Sequence, residues 1–155
     1  LLEIRANARR LKLQYDIQLV IVDYLQLMEG RSSESRQQEI SCISRGLKAL
    51  ARELNIPVIA VFKLNHSVES REGYAPGMSD LREFGFIEQD ADVIILLHRE
   101  DYYDSAKRPG EVDLNIVKQK NGPTGKIILT FHQKFLRFEN FQNNTSLDEE
   151  SNGKH

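Results

Sequence analysis

Cysteine is almost missing from this 155-residue chain, where Cys42 stands alone. A lone thiol excludes an internal disulfide and suits a reducing compartment. Metal-ligand spacing is missing too. His66, His98, His132 and His155 are scattered and have no cysteine near them in a zinc pattern, so no protein-built metal site is expected. There is no apolar run long enough for a bilayer and no visible signal peptide, so no membrane role is expected. An excess of one charge is also lacking. The formal net charge is −2, which is not the footprint of a chain that grips nucleic acid by electrostatics alone. Even that imbalance sits in the tail, where Asp148, Glu149 and Glu150 face only Lys154 and leave residues 1–139 neutral. Any nucleic-acid contact must be local, or shared among several subunits.

What is present fits one soluble globular domain with a sizeable core. The chain opens on Leu1 rather than Met, and it is expected to be a piece of something longer. Its organising stretch is Leu19–Met28, in which Leu19 to Val22 run without a polar break and end on Asp23. Such a run suits a parallel strand covered on both faces. A carboxylate at the tip of a buried strand is costly without a partner. In P-loop nucleotidases that partner is hydrated magnesium on the nucleotide phosphates, and the motif is the Walker B motif. Ligands of open α/β sheets also gather at the carboxyl ends of strands. The plainer reading of Asp23 is a cap for the next turn.

In chain order, residues 2–15 read as a helix with Leu2, Ile4, Ala8, Leu11 and Tyr15 on one face and Arg5, Arg9, Arg10 and Lys12 on a solvated one. Asp16 marks the turn into a strand over 17–22. The stretch from Glu29 to Ser33 is a polar loop. Ser35-Arg36-Gln37-Gln38 has capping-box form, and Ile40, Ile43, Leu47, Leu50 and Leu54 recur at helical spacing until Asn55 and Pro57 end the pattern. Pro57 to Phe62 is a second buried strand, closing a strand–helix–strand unit. A loop from Lys63 to Met78 follows, with Gly73, Pro76 and Gly77 as breakers, and Ser79 caps a short helix over 80–86. Ala91 to Leu97 supplies a third aliphatic strand, and Asp101 to Gly110 reads as a mobile loop. Val112, Leu114 and Ile116 then alternate with polar residues, Asn121 to Gly125 is a turn, and Ile127–Phe131 and Phe135–Phe138 are further strands. The chain thus passes from parallel α/β units to an antiparallel meander, with no internal repeat. Residues 140–155 read as a disordered polar tail.

Five phrases occur in order: Asp23-Tyr24-Leu25-Gln26-Leu27-Met28; Arg36-Gln37-Gln38-Glu39-Ile40-Ser41; Lys63-Leu64-Asn65; Asp80-Leu81-Arg82-Glu83 with Ile87-Glu88-Gln89-Asp90-Ala91-Asp92; and Lys118-Gln119-Lys120-Asn121-Gly122-Pro123-Thr124-Gly125. On these phrases, residues 1–139 closely resemble the C-terminal part of the motor domain of DnaB-type replicative DNA helicases. The resemblance implies an α/β, partial RecA-like P-loop core of parallel strands and crossover helices that ends in the meander. It also implies a homo-hexameric ring that hydrolyses ATP with magnesium and moves along single-stranded DNA. A primase and a helicase loader would be its partners, and its setting would be the cytoplasm, beside a bacterial nucleoid or within a plastid.

Residue by residue, the resemblance makes Asp23 the Walker B carboxylate, holding magnesium largely through water. Lys63-Leu64-Asn65-His66 falls where the family has Gln-Leu-Asn-Arg, so Lys63 takes the place of the γ-phosphate sensor. An amide both donates and accepts, whereas Lys63 only donates and adds a charge; the alternative is a strand-end lysine in solvent. Arg82, Glu83 and Gly85 match the DNA-contact loop, where a glycine lets main-chain N–H groups approach phosphate. Phe84 and Phe86 replace small residues there, either stacking on bases or packing inside the protein. Lys118, Gln119 and Lys120 match the Lys-Gln-Arg phrase offered to the neighbouring subunit's ATP. Lys120 stands for the arginine finger, keeping its charge but not its planar fork.

No G-x-x-x-x-G-K-[ST] phosphate loop occurs in the chain, and Gly30-Arg31-Ser32-Ser33 is no substitute. The strand that precedes such a loop is missing with it, so an incomplete sheet with apolar edges is expected. The expected function is therefore that of a helicase fragment, inactive as an ATPase when alone. The second reading is a degenerate, non-catalytic ring component, prompted by Phe62, Lys63, His66, Phe84, Phe86 and Lys120. A RecA-like recombinase or clock-type ATPase is the third.

Overall fold

The computed structural model describes residues 1–28, 35–64, 75–84 and 87–141. The expectations for Gly30 to Ser33, Asn65, His66, Gly73, Gly85, Phe86 and the tail from residue 142 lie outside the described residues. Helix α1 (Leu2–Tyr15) stops where Asp16 turns left-handed at φ 49° and its N–H reaches the Lys12 carbonyl. Its contact with the body is narrower than the spacing predicts. Ala8 is buried, but Leu2 and Tyr15 are exposed. The reason lies on the face read as solvated: Arg5 and Arg9 both bind Glu53, docking the helix through charge.

Helix α2 (Arg36–Leu54) follows its sequence signals closely. The Ser35 hydroxyl accepts the Gln38 N–H at 3.3 Å, and Asn55 closes the helix at φ 51°. Ile40, Ile43, Leu47 and Leu50 are buried on one stripe, each worth roughly 1.5–3 kcal/mol over exposure. Ile43 and Leu47 of this stripe pack with Val22, Leu25 and Met28 from the organising stretch.

Strands β1 (Val20–Val22) and β2 (Val58–Ala60) pair in parallel, Val20 opposite Val58 and Val22 opposite Ala60. Both are shorter than the aliphatic runs suggest, yet pairing continues past them. Val61 N–H donates to the Val22 carbonyl and Leu25 N–H to that of Val61, each at 2.9 Å. Beyond β2 come a 3-10 turn (Met78–Phe84), replacing the short α-helix expected after Ser79, and a four-residue helix α3 (Ile87–Asp90).

The third aliphatic run becomes β3 (Val93–His98), but it leaves the parallel pair. It joins an antiparallel sheet in the order β3, β4 (Glu111–Gln119), β5 (Gly125–His132), β6 (Arg137–Asn140). Among the described residues β4 is the strand that returns to pair with β3, and β2 and β3 each keep one unpaired edge. One face of both sheets is also uncovered: Leu19, Ile21, Ile59, Val61, Val93, Ile95 and Leu97 are all exposed. The opposite face buries Ile94 and Leu96 with Leu81, against which Phe62 and Leu64 pack.

The loop from Asp101 to Gly110, read as mobile, is tied down by charge. Arg99 binds Asp101, whose carboxylate also accepts the Gly110 N–H at 2.9 Å. Arg108 forks onto Asp113 at 2.8 and 2.9 Å, and Lys126 closes on the same carboxylate at 2.7 Å. Asp113 is buried. The Arg108 hydrogen bonds, helped by Lys126, hold its carboxyl down at about 2 against the opposing pull of burial.

Candidate functional site

Asp23 follows the last residue of β1, and Lys63 lies three residues past β2. Because β1 and β2 are parallel, their ends bring the two together at one lip of the sheet. Asp23 is exposed there and makes no hydrogen bond or ion pair among the described residues. The Asp23–Tyr24 peptide is cis. Lys63 places its ammonium 4.0 Å from the centre of the Tyr24 ring, a cation–π contact.

Two residues that sequence reasoning gave no role shape this lip. Gln26, in the 3-10 turn Leu25–Leu27, binds the Lys63 backbone at both ends of its amide. Nε2 donates to the carbonyl at 2.6 Å, and the Lys63 N–H donates to Oε1 at 3.3 Å. Arg36, on the first turn of α2, donates to the carbonyls of Gln26 at 2.6 Å and Met28 at 3.2 Å, and pairs with Glu39. Both residues sit inside the quoted phrases, but nothing in their spacing announces these partners.

The 80–86 phrase is only partly described. Asp80 is buried, and one of its carboxylate oxygens accepts the Gly77 N–H at 2.7 Å. This fixes the entry to the turn that carries Arg82 and Glu83, while Gly85 lies outside the described residues.

Lys118, Gln119 and Lys120 gather elsewhere, at the start of β3. Lys118 stands opposite Ile94, and Gln119 opposite Val93. The Lys118 ammonium donates to the Glu88 carbonyl of α3 at 2.6 Å, and the Lys120 N–H donates to the Asp92 carbonyl at 2.9 Å. Lys48 of α2 pairs with the Asp92 carboxylate. The result is a cleft of about 250 Å³ lined by Lys48, Arg52, Asp90, Asp92, Lys118 and Lys120, with Gln89 and Ala91. Among the described residues no hydrogen bond or ion pair joins this group to Asp23 or Lys63. Lys48 and Arg52 were missed in the sequence, although their spacing of four puts them on one helix face.

An exposed carboxylate at a strand tip fits a hydrated magnesium ion, which keeps several waters and takes one or two carboxylates. Among the described residues no group of three or more His, Cys, Asp or Glu side chains could cage a metal. No helix among them is long and apolar enough to cross a membrane.

Comparison with known proteins gives a consistent picture. The family model described as "DnaB-like helicase C terminal domain" matches residues 1–140. The replicative DNA helicase DnaB of Geobacillus stearothermophilus is 49% identical over 143 residues, covering 90% of this chain and 32% of that protein. DnaB of Mycobacterium leprae (strain TN) is 54% identical over 143 residues, covering 90% of this chain and 24% of that one. The chain thus spans about a third or less of the curated relatives it matches. Among solved structures, one described as an ATPase domain superposes with a TM-score of 0.84 at 41% identity, covering 90% of this chain and 50% of that one. A DnaB-like replicative helicase, described with its interactions with primase, gives 0.83 at 41% identity, covering 90% of this chain and 35% of that one.

Proposed function

This chain belongs to the DnaB-like helicase C-terminal domain family, and from that premise we propose that it supplies part of a ring-shaped, ATP-driven DNA helicase motor. In this reading residues 1–139 are the C-terminal portion of a RecA-like motor domain, and the polar tail expected over 140–155 starts after Asn140, which β6 pairs with Leu129. Asp23 holds magnesium mainly through its waters, and Lys63 meets the γ-phosphate beside it. Lys118, Gln119 and Lys120 serve the ATP of the next subunit in a homo-hexamer. Arg82, Glu83 and Gly85 contact single-stranded DNA. Held by Asp23, magnesium would supply charge neutralisation to the nucleotide phosphates. A primase and a loader are the expected partners, and the cytoplasm, beside a nucleoid or in a plastid, is the expected setting.

The observation that carries the proposal is the separation of the two groups. Asp23 and Lys63 share one lip, while the Lys118–Lys120 cations cluster at the start of β3. Groups split in this way within one chain suit a site completed between subunits. A phosphate loop is absent from the sequence, so the chain alone lacks the main cradle for β- and γ-phosphates.

The test supplies the upstream half of a DnaB-like ATPase domain in trans and follows ATP turnover. Alone, the chain turns over no ATP. With the upstream half, turnover is magnesium-dependent and stimulated by single-stranded DNA, and Asp23→Asn abolishes it. Turnover by the isolated chain, or restored turnover indifferent to Asp23→Asn, overturns the proposal. One observation favours the second reading, a non-catalytic ring component: Lys63 is engaged by Tyr24 and Lys118 by the Glu88 carbonyl. Ring assembly without restored turnover is the outcome that reading requires.

A further inference from the structure

The 3-10 turn Leu25–Leu27 is held from two sides. Toward the core, Leu25 and Met28 are buried beside Ile43 and Leu47 of α2, and the Leu25 N–H donates to the Val61 carbonyl at 2.9 Å. Toward the surface, the holding is done by Arg36. Its Nη2 donates to the Gln26 carbonyl at 2.6 Å and its Nη1 to the Met28 carbonyl at 3.2 Å, while Glu39 pairs with the same guanidinium. A turn this short leaves its last carbonyls without partners inside the turn, so the plainer role of Arg36 is to satisfy them. The Gln26 residue carries the contact further. Its carbonyl takes Arg36, and its side-chain amide reaches Lys63, donating to the carbonyl at 2.6 Å and accepting the N–H at 3.3 Å. Arg36, Gln26 and Lys63 thus form one line of contact from the first turn of α2 to the chain just past β2.

We infer that Arg36 is a positioning residue for Lys63, acting through Gln26. The bond to the Gln26 carbonyl fixes the peptide plane that leaves this residue, and with it the direction in which the backbone sends the amide toward Lys63. A charged donor makes this a firm anchor, since such hydrogen bonds are roughly twice as strong as neutral ones. The relay needs an arginine. Two carbonyls two residues apart and the Glu39 carboxylate share one side chain. A planar fork with five donors serves all three, whereas a lysine ammonium is a compact point charge on a flexible stem. The relay itself rests on hydrogen bonds alone. Only the task of Lys63, meeting phosphate, rests on the motor reading.

The test is residue-resolved amide hydrogen exchange on the 155-residue chain. It is read at the Lys63 N–H, with the Leu50 N–H inside α2 as internal reference. Arg36→Ala speeds exchange at Lys63 about fivefold, the scale of one lost hydrogen bond, and leaves Leu50 unchanged. Arg36→Lys, which keeps the charge but not the fork, does the same. Adding Arg36→Ala to Gln26→Ala speeds Lys63 no further than Gln26→Ala alone, because the effect passes through the missing amide. Ser35→Ala, which removes the cap at the same helix start, leaves Lys63 as in the wild type. In the domain reconstituted with its upstream half, Arg36→Lys lowers kcat for ATP and leaves KM nearly unchanged.

Unchanged exchange at Lys63 in Arg36→Ala, wild-type exchange in Arg36→Lys, or equal acceleration at Leu50 each overturns the inference. So does a double variant faster than Gln26→Ala, or a Ser35→Ala variant that matches Arg36→Ala. Any of these results, alongside reconstituted turnover that still depends on Asp23, refutes the relay and leaves the motor reading standing. The expected exchange pattern without any reconstituted turnover does the reverse: the relay stands and the motor reading falls.

Discussion

Gln26 holds Lys63 by its backbone and not by its charge: the amide both donates to the Lys63 carbonyl and accepts its N–H, across 37 positions of sequence. The side chain proposed to meet phosphate is therefore mounted on a main chain held by the 3-10 turn Leu25–Leu27.

Gln26→Ala removes both bonds. Each is worth about 0.5–1.5 kcal/mol net, so a loss of about 1–3 kcal/mol is expected in urea unfolding. The variant should also lower reconstituted ATP turnover. Gln26→Glu retains the acceptor but puts an oxygen against the Lys63 carbonyl, so it should not rescue either property.

Asp113 gives a pH signature. Its folded carboxyl is held at about 2, below the unfolded value near 3.8, chiefly by the Arg108 hydrogen bonds. A depressed acid contributes stability that is present above the unfolded value and declines as pH falls from about 4 towards 2. The shift corresponds to roughly 2 kcal/mol. Acid titration of the unfolding midpoint should show this loss in the wild type. Asp113→Asn should be less stable at pH 7, with a flatter profile between pH 4 and 2.

Leu50 is 0% exposed on α2, and Leu50→Ala should cost about 2–5 kcal/mol through lost burial and the cavity left behind. Ser35→Ala, which removes the cap on the Gln38 N–H, should cost about 0.5–2 kcal/mol. Denaturant melts of the two variants should therefore differ in size, with the cap variant keeping the wild-type m-value.

The uncovered face should make the isolated chain sticky. Large contiguous apolar patches on a soluble protein mark contact surfaces or aggregation hazards. Ile95→Lys and Leu97→Glu change exposed positions and should reduce self-association in sedimentation with little change in stability. If that face receives the upstream half, the same changes should weaken reconstitution.

Local signals in the chain were readable where the physics is local. The cap at Ser35, the apolar stripe of α2, the stop at Asn55 and the turn between β4 and β5 depend on residues within a few positions of one another, and the structure has them all. The narrow contact of α1 was not readable, because Glu53, which captures Arg5 and Arg9, lies more than forty positions away. The loop from Asp101 to Gly110 reads as mobile until Asp113 is seen to be buried beneath Arg108. Polar composition does not reveal which charges are paired.

By itself, the sequence determined the family, through five phrases in a fixed order, and the position of Asp23 at the end of an aliphatic strand. Tertiary structure alone decided that β3 leaves the parallel pair for the meander, that Gln26 mounts Lys63, and that Lys48 and Arg52 share a cleft with Lys120. The reason is one of range. Periodicity and capping are set by neighbours along the chain, whereas strand partners and ion pairs such as Lys48–Asp92, 44 positions apart, exist only once packing has brought distant segments together.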